Sequence, residues 1–144
     1  MTDEPAPVLS DRYVLIVDDE PFHLRLVHKI VSNLGYNHIL TANSGVTALQ
    51  VIDKDTTRRA VELVITDWDM PDMSGLQLLN ELRLNRSRFE LPIIMMTAHK
   101  SGDVVSEAVR QGADCVIFKP FSGATLKEKI SIARSREHTP EPNQ

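Results

Sequence analysis

Polar and charged side chains directly follow short apolar segments at four places in this 144-residue chain. The residues concerned are Asp18, Asp19, Asp67, Thr97 and Lys119. Three carboxylates at one site would repel strongly, because two like unit charges roughly 4 Å apart repel by about 4 kcal/mol at an effective dielectric constant of ~20. Such a group needs a cation, and carboxylate oxygens with few other ligands suit Mg²⁺.

A divalent ion, an amine, a hydroxyl donor and a free carboxylate together are suited to phosphoryl transfer. One of the carboxylates can itself be the nucleophile, which would give an acyl phosphate. That product carries about one more negative charge than the carboxylate did. The metal ion and Lys119 would therefore be needed to stabilise it.

These side chains converge only if the segments that carry them are parallel strands of one sheet. Five apolar runs alternate with segments of helical spacing, and three of the runs are almost continuously apolar, as in strands covered on both faces. The predicted strands are residues 13–17, 39–42, 63–66, 93–97 and 116–118. The least apolar run, 39–42, suits an edge. Strict alternation predicts a doubly wound α/β sheet, whose ligand site lies beyond the carboxyl ends of the strands.

The helical segments begin at residues suited to those positions, namely Pro21, Ser44, Ser74, Asp103 and Ser122. Pro21 fits a first helical position, and Ser74 with Gln77 has the spacing of a capping box. The apolar stripe predicted to face the core from the first helix consists of Phe22, Leu26, Val27, Ile30, Val31 and Leu34.

Composition narrows the function classes. The formal net charge of −4 argues against direct nucleic-acid binding through overall electrostatics, and no apolar run approaches the ~18 residues needed for membrane insertion. The single cysteine, Cys115, lies in an apolar run and predicts a small buried side chain. With no signal-peptide pattern, a cytoplasmic location is expected.

Residues 12–134 form the predicted domain, with 1–11 a flexible lead-in and 135–144 a tail or the start of a linker.

The chain resembles the receiver domain of two-component response regulators, and single-domain chemotaxis regulators in particular. The resemblance covers about residues 12–134 and rests on Val17-Asp18-Asp19, Asp67-Trp68-Asp69-Met70-Pro71, Ser74-Gly75, Thr97-Ala98 and Lys119-Pro120-Phe121. It implies a flavodoxin-like (βα)5 fold with five parallel strands in the order 2-1-3-4-5. It also implies a cis peptide bond between Lys119 and Pro120.

By this resemblance, Asp67 accepts a phosphoryl group from a histidine kinase or phosphotransfer protein in phosphorelay signal transduction. Asp18, Asp19 and Asp67 would bind Mg²⁺ with the main-chain carbonyl of Asp69. Thr97 and Lys119 would contact the phosphoryl oxygens. The chain would then be a signalling phosphoprotein that catalyses only its own phosphorylation and dephosphorylation.

The resemblance also implies an output. A downstream protein would bind the face of the fourth helix, fifth strand and fifth helix, around residues 104–110 and 122–131. The family carries an aromatic residue three positions before the lysine, and here Val116 stands there. Either the aromatic part of the switch is missing, or Phe118 or Phe121 has a different role. Asp69 and His99 stand where the family tunes dephosphorylation.

Two other functions fit parts of the sequence. A phosphatase of the haloacid dehalogenase type also uses an Asp-x-Asp pattern, which Asp67-Trp68-Asp69 matches, but that family needs Thr or Val where Pro71 stands and usually more chain for a cap. A receiver-like binding module that is never phosphorylated usually lacks an acid, the threonine or the lysine, and this chain has them all. A stand-alone regulator is favoured over a fragment of a larger one.

Overall fold

Five strands alternate with five helices over residues 12–53, 61–84 and 90–136, which the computed structural model describes. The strands are β1 (Tyr13–Val17), β2 (Ile39–Ala42), β3 (Val61–Asp67), β4 (Ile93–Thr97) and β5 (Cys115–Phe118). The helices are α1 (Pro21–Asn33), α2 (Gly45–Asp53), α3 (Gly75–Arg83), α4 (Gly102–Arg110) and α5 (Gly123–Arg136). The predicted lead-in, 1–11, lies outside the described residues. Within the described ranges, no helix combines the length and apolar character needed to cross a membrane.

The strands form one sheet in the order β2-β1-β3-β4-β5, with every neighbouring pair parallel. The predicted flavodoxin-like fold and strand order are confirmed, and β2 lies at an edge as its weaker apolar character predicts. Because all strands run in one direction, their carboxyl ends share one edge of the sheet. Asp67, Thr97 and the residues that follow β1 and β5 therefore lie along the same edge.

Helices cover both faces of the sheet, which explains why the central strands are apolar on both sides. Successive side chains of a strand point to opposite faces, so Leu15 and Val17 join one buried cluster while Val14 and Ile16 join the other. The first cluster is completed by residues of α2, α3 and α4, and the second by residues of α1 and α5. Cys115 is buried, as predicted.

The observed elements extend past some predicted boundaries. β3 begins at Val61, because the carboxylate of Glu62 is buried beside the Arg134 guanidinium and so continues the strand despite its charge. A strand prediction based on apolar residues leaves out a charged position such as Glu62. α5 continues to Arg136, two residues beyond the boundary predicted at 134. The predicted capping box of α3 is present, with Ser74 and Gln77 each bonding the other's backbone N–H.

The apolar stripe predicted for α1 is wrong at its amino-terminal end. Val27 and Val31 are buried as expected, but Phe22 is 67% exposed and Leu26 is 43% exposed. Both residues lie in the first half of α1, which begins just past the carboxyl end of β1, and the fully buried positions begin at Val27. Leu26 instead lines a cavity of about 290 Å³ that Phe121 also borders.

Candidate functional site

Three carboxylates meet at the carboxyl edge of the sheet. Asp18, Asp19 and Asp67 each offer an oxygen, and these oxygens all lie within 4.8 Å of one another. Asp18 follows β1 and is fully buried, Asp67 ends β3 and is almost fully buried, and Asp19 is exposed. The Asp18 backbone N–H donates to the Ala42 carbonyl oxygen, which continues the pairing of β1 with β2. The structure thus brings together all three acids predicted from the sequence.

Lys119 supplies a positive charge to this group. Its Nζ lies 2.6 Å from Asp67 Oδ1 and 3.5 Å from Asp18 Oδ2. The Lys119 backbone N–H donates to the Thr97 carbonyl oxygen at 2.8 Å, which fixes the lysine beside the end of β4. The peptide bond between Lys119 and Pro120 is cis, as the resemblance implied.

The pKa values of the two buried carboxylates are shifted in opposite directions. Burial alone would raise the pKa of Asp18, but hydrogen bonds from His23 and from the Glu20 N–H, together with the charge of Lys119, hold that pKa below its usual value. Burial raises the pKa of Asp67; the Lys119 hydrogen bond opposes this, and the nearby charge of Asp18 adds to it. Ionisation of Asp67 is therefore less favourable than that of a solvated aspartate, and a further cation would favour it.

His23 also contacts the site, which the sequence motifs did not predict. Its Nδ1 forms a hydrogen bond with Asp18 Oδ2. Glu20 is the N-cap of α1, so His23 occupies the third helical position. Helical side chains lean toward the amino terminus of their helix, which directs this ring back toward the end of β1. Cap position combined with side-chain direction is the signal that could have identified it.

Thr97, Asp69 and His99 lie on the rim of the same edge. Thr97 is buried, and its Oγ1 accepts a hydrogen bond of 3.0 Å from the His99 backbone N–H. The exposed side chains of His99 and Asp69 approach to 3.3 Å. The Asp69 carboxylate therefore faces His99 at the surface rather than the three-carboxylate group.

The loop after β3 is held against the strand end by close backbone packing. The Gly75 N–H donates to the Trp68 carbonyl oxygen at 2.8 Å, and a Cβ at Gly75 would lie 2.0 Å from the Asp67 carbonyl oxygen. Trp68 packs against the buried cluster beneath. The position of Asp67 thus depends on a residue without a side chain at the start of α3.

Val116 is buried in β5 and joins the cluster under α4. Phe118, two residues later on the same face of the strand, is partly buried against that cluster and pairs in register with Thr97. Phe121 belongs to the other side of the sheet, where its ring meets His23 edge-on. Among these residues, the aromatic ring beside the end of β4 is therefore Phe118.

The donor set fits a magnesium ion. The three carboxylates carry three negative charges when ionised and Lys119 carries one positive charge, so one divalent cation balances the group. All three side chains offer hard oxygen atoms, which Mg²⁺ prefers while keeping water in its remaining positions. Such an ion beside a carboxylate nucleophile and an amine has the chemistry of a phosphoryl-transfer site.

Comparison with known proteins gives a consistent result. The family model described as response regulator receiver domain matches residues 14–131. Chemotaxis protein CheY-3 of Vibrio cholerae is 38% identical over 117 residues, which cover 81% of this chain and 87% of that protein. Chemotaxis protein CheY1 of Helicobacter pylori is 36% identical over 119 residues, covering 83% of this chain and 94% of the relative. A receiver domain protein from Clostridium thermocellum superimposes with a TM-score of 0.77 at 28% identity, covering 88% of this chain and 96% of that one.

Proposed function

The chain belongs to the response regulator receiver family, whose members are phosphorylated on an aspartate by a kinase, and we propose that Asp67 is the phosphoacceptor. The observation that carries this assignment is the 2.6 Å contact between Lys119 Nζ and Asp67 Oδ1 within the three-carboxylate group. Asp67 ends the central strand β3, where a phosphodonor can reach it beside the exposed Asp19. Asp18 is fully buried, so it is a poor candidate for the nucleophile.

In the proposed phosphoryl transfer, one bond to phosphorus forms as another breaks, and neighbouring groups stabilise the added negative charge. A carboxylate oxygen of Asp67 forms a bond to phosphorus while the bond between phosphorus and the donor breaks, and the donor leaves with the bonding electrons. Lys119 compensates part of the added charge from its place beside Asp67. The Thr97 hydroxyl, which already accepts from His99, still has its proton to donate to a phosphoryl oxygen.

We assign Asp18, Asp19 and Asp67 as the side chains that bind Mg²⁺, with the Asp69 main-chain carbonyl as a fourth protein ligand. The ion supplies charge neutralisation for the phosphoryl oxygens when bound. The surface contact between the Asp69 side chain and His99 is consistent with a main-chain role for Asp69. Hydrolysis of the acyl phosphate would occur at the same site, so the chain modifies only itself.

We expect acetyl phosphate, a small phosphodonor, to add one phosphoryl group to the chain only when Mg²⁺ is present. Intact-mass measurement before and after addition of EDTA tests this metal dependence. Borohydride reduces an acyl phosphate to an alcohol, so peptide mapping after reduction locates the modified carboxylate.

Modification at a residue other than Asp67 would contradict the assignment, as would an unmodified chain at saturating donor and Mg²⁺. Continuous release of phosphate from a general phosphomonoester would favour a phosphatase instead. The mass measurement with acetyl phosphate also separates a phosphorylated receiver from a receiver-like module that only binds partners.

We also propose that phosphorylation changes the face formed by α4, β5 and α5, where a downstream protein would bind. Phe118 connects this face to the site, because it pairs in register with Thr97 and borders a cavity of about 560 Å³ together with Val105. A change at Thr97 can therefore reach the α4 surface through one side chain. A ligand shifts such an equilibrium only through different affinity for the two states.

Amide NMR spectra test the proposed output face without a known partner. Adding beryllofluoride to the Mg²⁺-loaded protein should shift resonances of α4 and β5 in the wild type and leave those of the Asp67→Asn variant in place. Shifts confined to the loops that carry Asp18, Asp67 and Lys119 would count against an output through this face.

A further inference from the structure

The Asp18 carboxylate is contacted by three hydrogen-bond donors. Its Oδ1 accepts a 3.0 Å hydrogen bond from the Glu20 backbone N–H. Its Oδ2 contacts both His23 Nδ1 and, at 3.5 Å, Lys119 Nζ. These contacts fix the plane of a fully buried carboxylate that must also offer an oxygen toward Asp19 and Asp67.

The two groups that donate to Asp18 Oδ2 differ in whether they also interact with another acceptor. Lys119 lies closer to Asp67, at 2.6 Å, than to Asp18, and the proposed function draws its amine toward an incoming phosphoryl group. His23 has no such second demand on its Nδ1. When Lys119 turns to the phosphoryl oxygens, His23 is therefore the donor that stays on Oδ2.

The His23 side chain has little room to move. Its backbone N–H donates to Glu20 Oε1 at 2.7 Å, which anchors the first turn of α1. Phe121 meets the ring edge-on, with 6.1 Å between centroids and 85° between planes. The side chain is 18% exposed, so surrounding groups restrict its rotation. A constrained donor orients its acceptor better than a mobile one.

The direction of the hydrogen bond follows from the charge of its partner. A carboxylate that ligates a metal ion is deprotonated and can only accept hydrogen bonds. Nδ1 of His23 must then carry the proton and donate it. Histidine in this arrangement holds a carboxylate from outside the metal's own ligands.

We propose that His23 is a positioning residue for the metal site, whose Nδ1–H holds the Asp18 carboxylate in the orientation that ligates Mg²⁺. This inference rests on the proposed function, since it assigns Mg²⁺ to Asp18, Asp19 and Asp67. His23 is not itself a ligand in this proposal. Loss of the outer partner of a metal ligand typically weakens metal affinity by about 10–100-fold, which sets the expected size of the effect.

Calorimetric titration of Mg²⁺ into the full chain at one fixed pH tests the proposal. His23→Leu removes the donor and should raise the Mg²⁺ dissociation constant about tenfold. His23→Asn places an amide N–H near the position of Nδ1 and should restore the constant to within about threefold of wild type. His28→Leu, the same change at an exposed position of α1, is the matched control and should leave the constant unchanged. Quenching of Trp68 fluorescence by Mg²⁺ gives an independent readout.

Two outcomes would overturn the proposal: a dissociation constant for His23→Leu within about twofold of wild type, or an Asn variant as weak as the Leu variant. His23→Ala is made alongside, because it removes the donor without placing a branched side chain against Phe121, and thermal unfolding confirms that each variant is folded. At saturating Mg²⁺ the rate of phosphorylation by acetyl phosphate should recover in His23→Leu, which a general structural defect would not allow. Failure of wild type to bind Mg²⁺ would instead refute the proposed function.

Discussion

Replacing Asp67 by asparagine is expected to reduce phosphorylation by acetyl phosphate below detection while leaving the fold intact. Asparagine keeps the shape of the side chain but removes the charged oxygen that would attack phosphorus. The Lys119 amine, 2.6 Å from Asp67 and 3.5 Å from Asp18 in the wild type, keeps an ionised partner in Asp18. Intact-mass measurement in Mg²⁺ should show one added phosphoryl group on wild type and none on the variant.

Stability measurements test the same substitution in a second way, because the variant that loses phosphorylation is not expected to lose stability. The folded-state pKa of Asp67 is raised, chiefly by burial, so its ionisation opposes folding fully above that raised pKa. The penalty decreases as the pH falls from there and is gone below the unfolded value of 3.8. In EDTA at neutral pH, Asp67→Asn should thus be at least as stable as wild type, with the difference vanishing in acid. In Mg²⁺ at ten times its dissociation constant, wild type should gain about 1.4 kcal/mol, and the variant should gain less.

A matched control separates the loss of a nucleophile from the loss of a charge. Asp53→Asn makes the same chemical change at an exposed carboxylate at the end of α2, and its phosphorylation and Mg²⁺ response should equal those of wild type. Phosphoryl uptake by Asp67→Asn at the wild-type level would show that another side chain is the acceptor.

Much of the site could be predicted because parallel strands turn sequence position into spatial position. Asp18, Asp67, Thr97 and Lys119 each stand at or just past the end of an apolar run, and a parallel sheet places those ends at one edge. The strand 39–42 was predicted to the residue, since its boundaries coincide with the change from apolar to polar side chains. No knowledge of side-chain contacts was needed for this step.

Features that depend on the direction of one side chain were harder to predict. The periodicity of α1 groups Phe22 and Leu26 with Val27 and Val31, but periodicity does not tell where along the helix burial begins, and here it begins at Val27. The contact of His23 with Asp18 also depends on the start of α1, because the cap at Glu20 decides which residue leans back over the site. Spacing along the sequence carries neither piece of information.

Replacing Gly75 by alanine is expected to destabilise the protein by about 3 kcal/mol, the upper part of the range for added groups in tightly packed sites. The new Cβ would lie 2.0 Å from the Asp67 carbonyl oxygen, 2.9 Å from its carbonyl carbon and 3.0 Å from Trp68 Cα. All three are backbone atoms, so no side-chain rotation relieves the overlap. Either the start of α3 moves outward, which breaks the Gly75 to Trp68 hydrogen bond, or the end of β3 shifts.

A shift of β3 also moves the proposed nucleophile relative to Lys119, so the variant tests how stability and function are connected at this point. Misplacement of a reacting group by roughly 1 Å can slow a reaction on the order of 100-fold, and we expect phosphorylation of the folded fraction to slow by at least tenfold. Gly102→Ala is the matched control, because a Cβ at that first position of α4 would meet no heavy atom of the described residues within 4 Å outside its chain neighbours and its own helix backbone. Its free energy of unfolding in urea should equal that of wild type or exceed it by about 0.4–1 kcal/mol, since alanine restricts the unfolded chain. If both alanine variants unfold at the same urea concentration, the Cβ position at Gly75 is accommodated and the close approach does not fix Asp67.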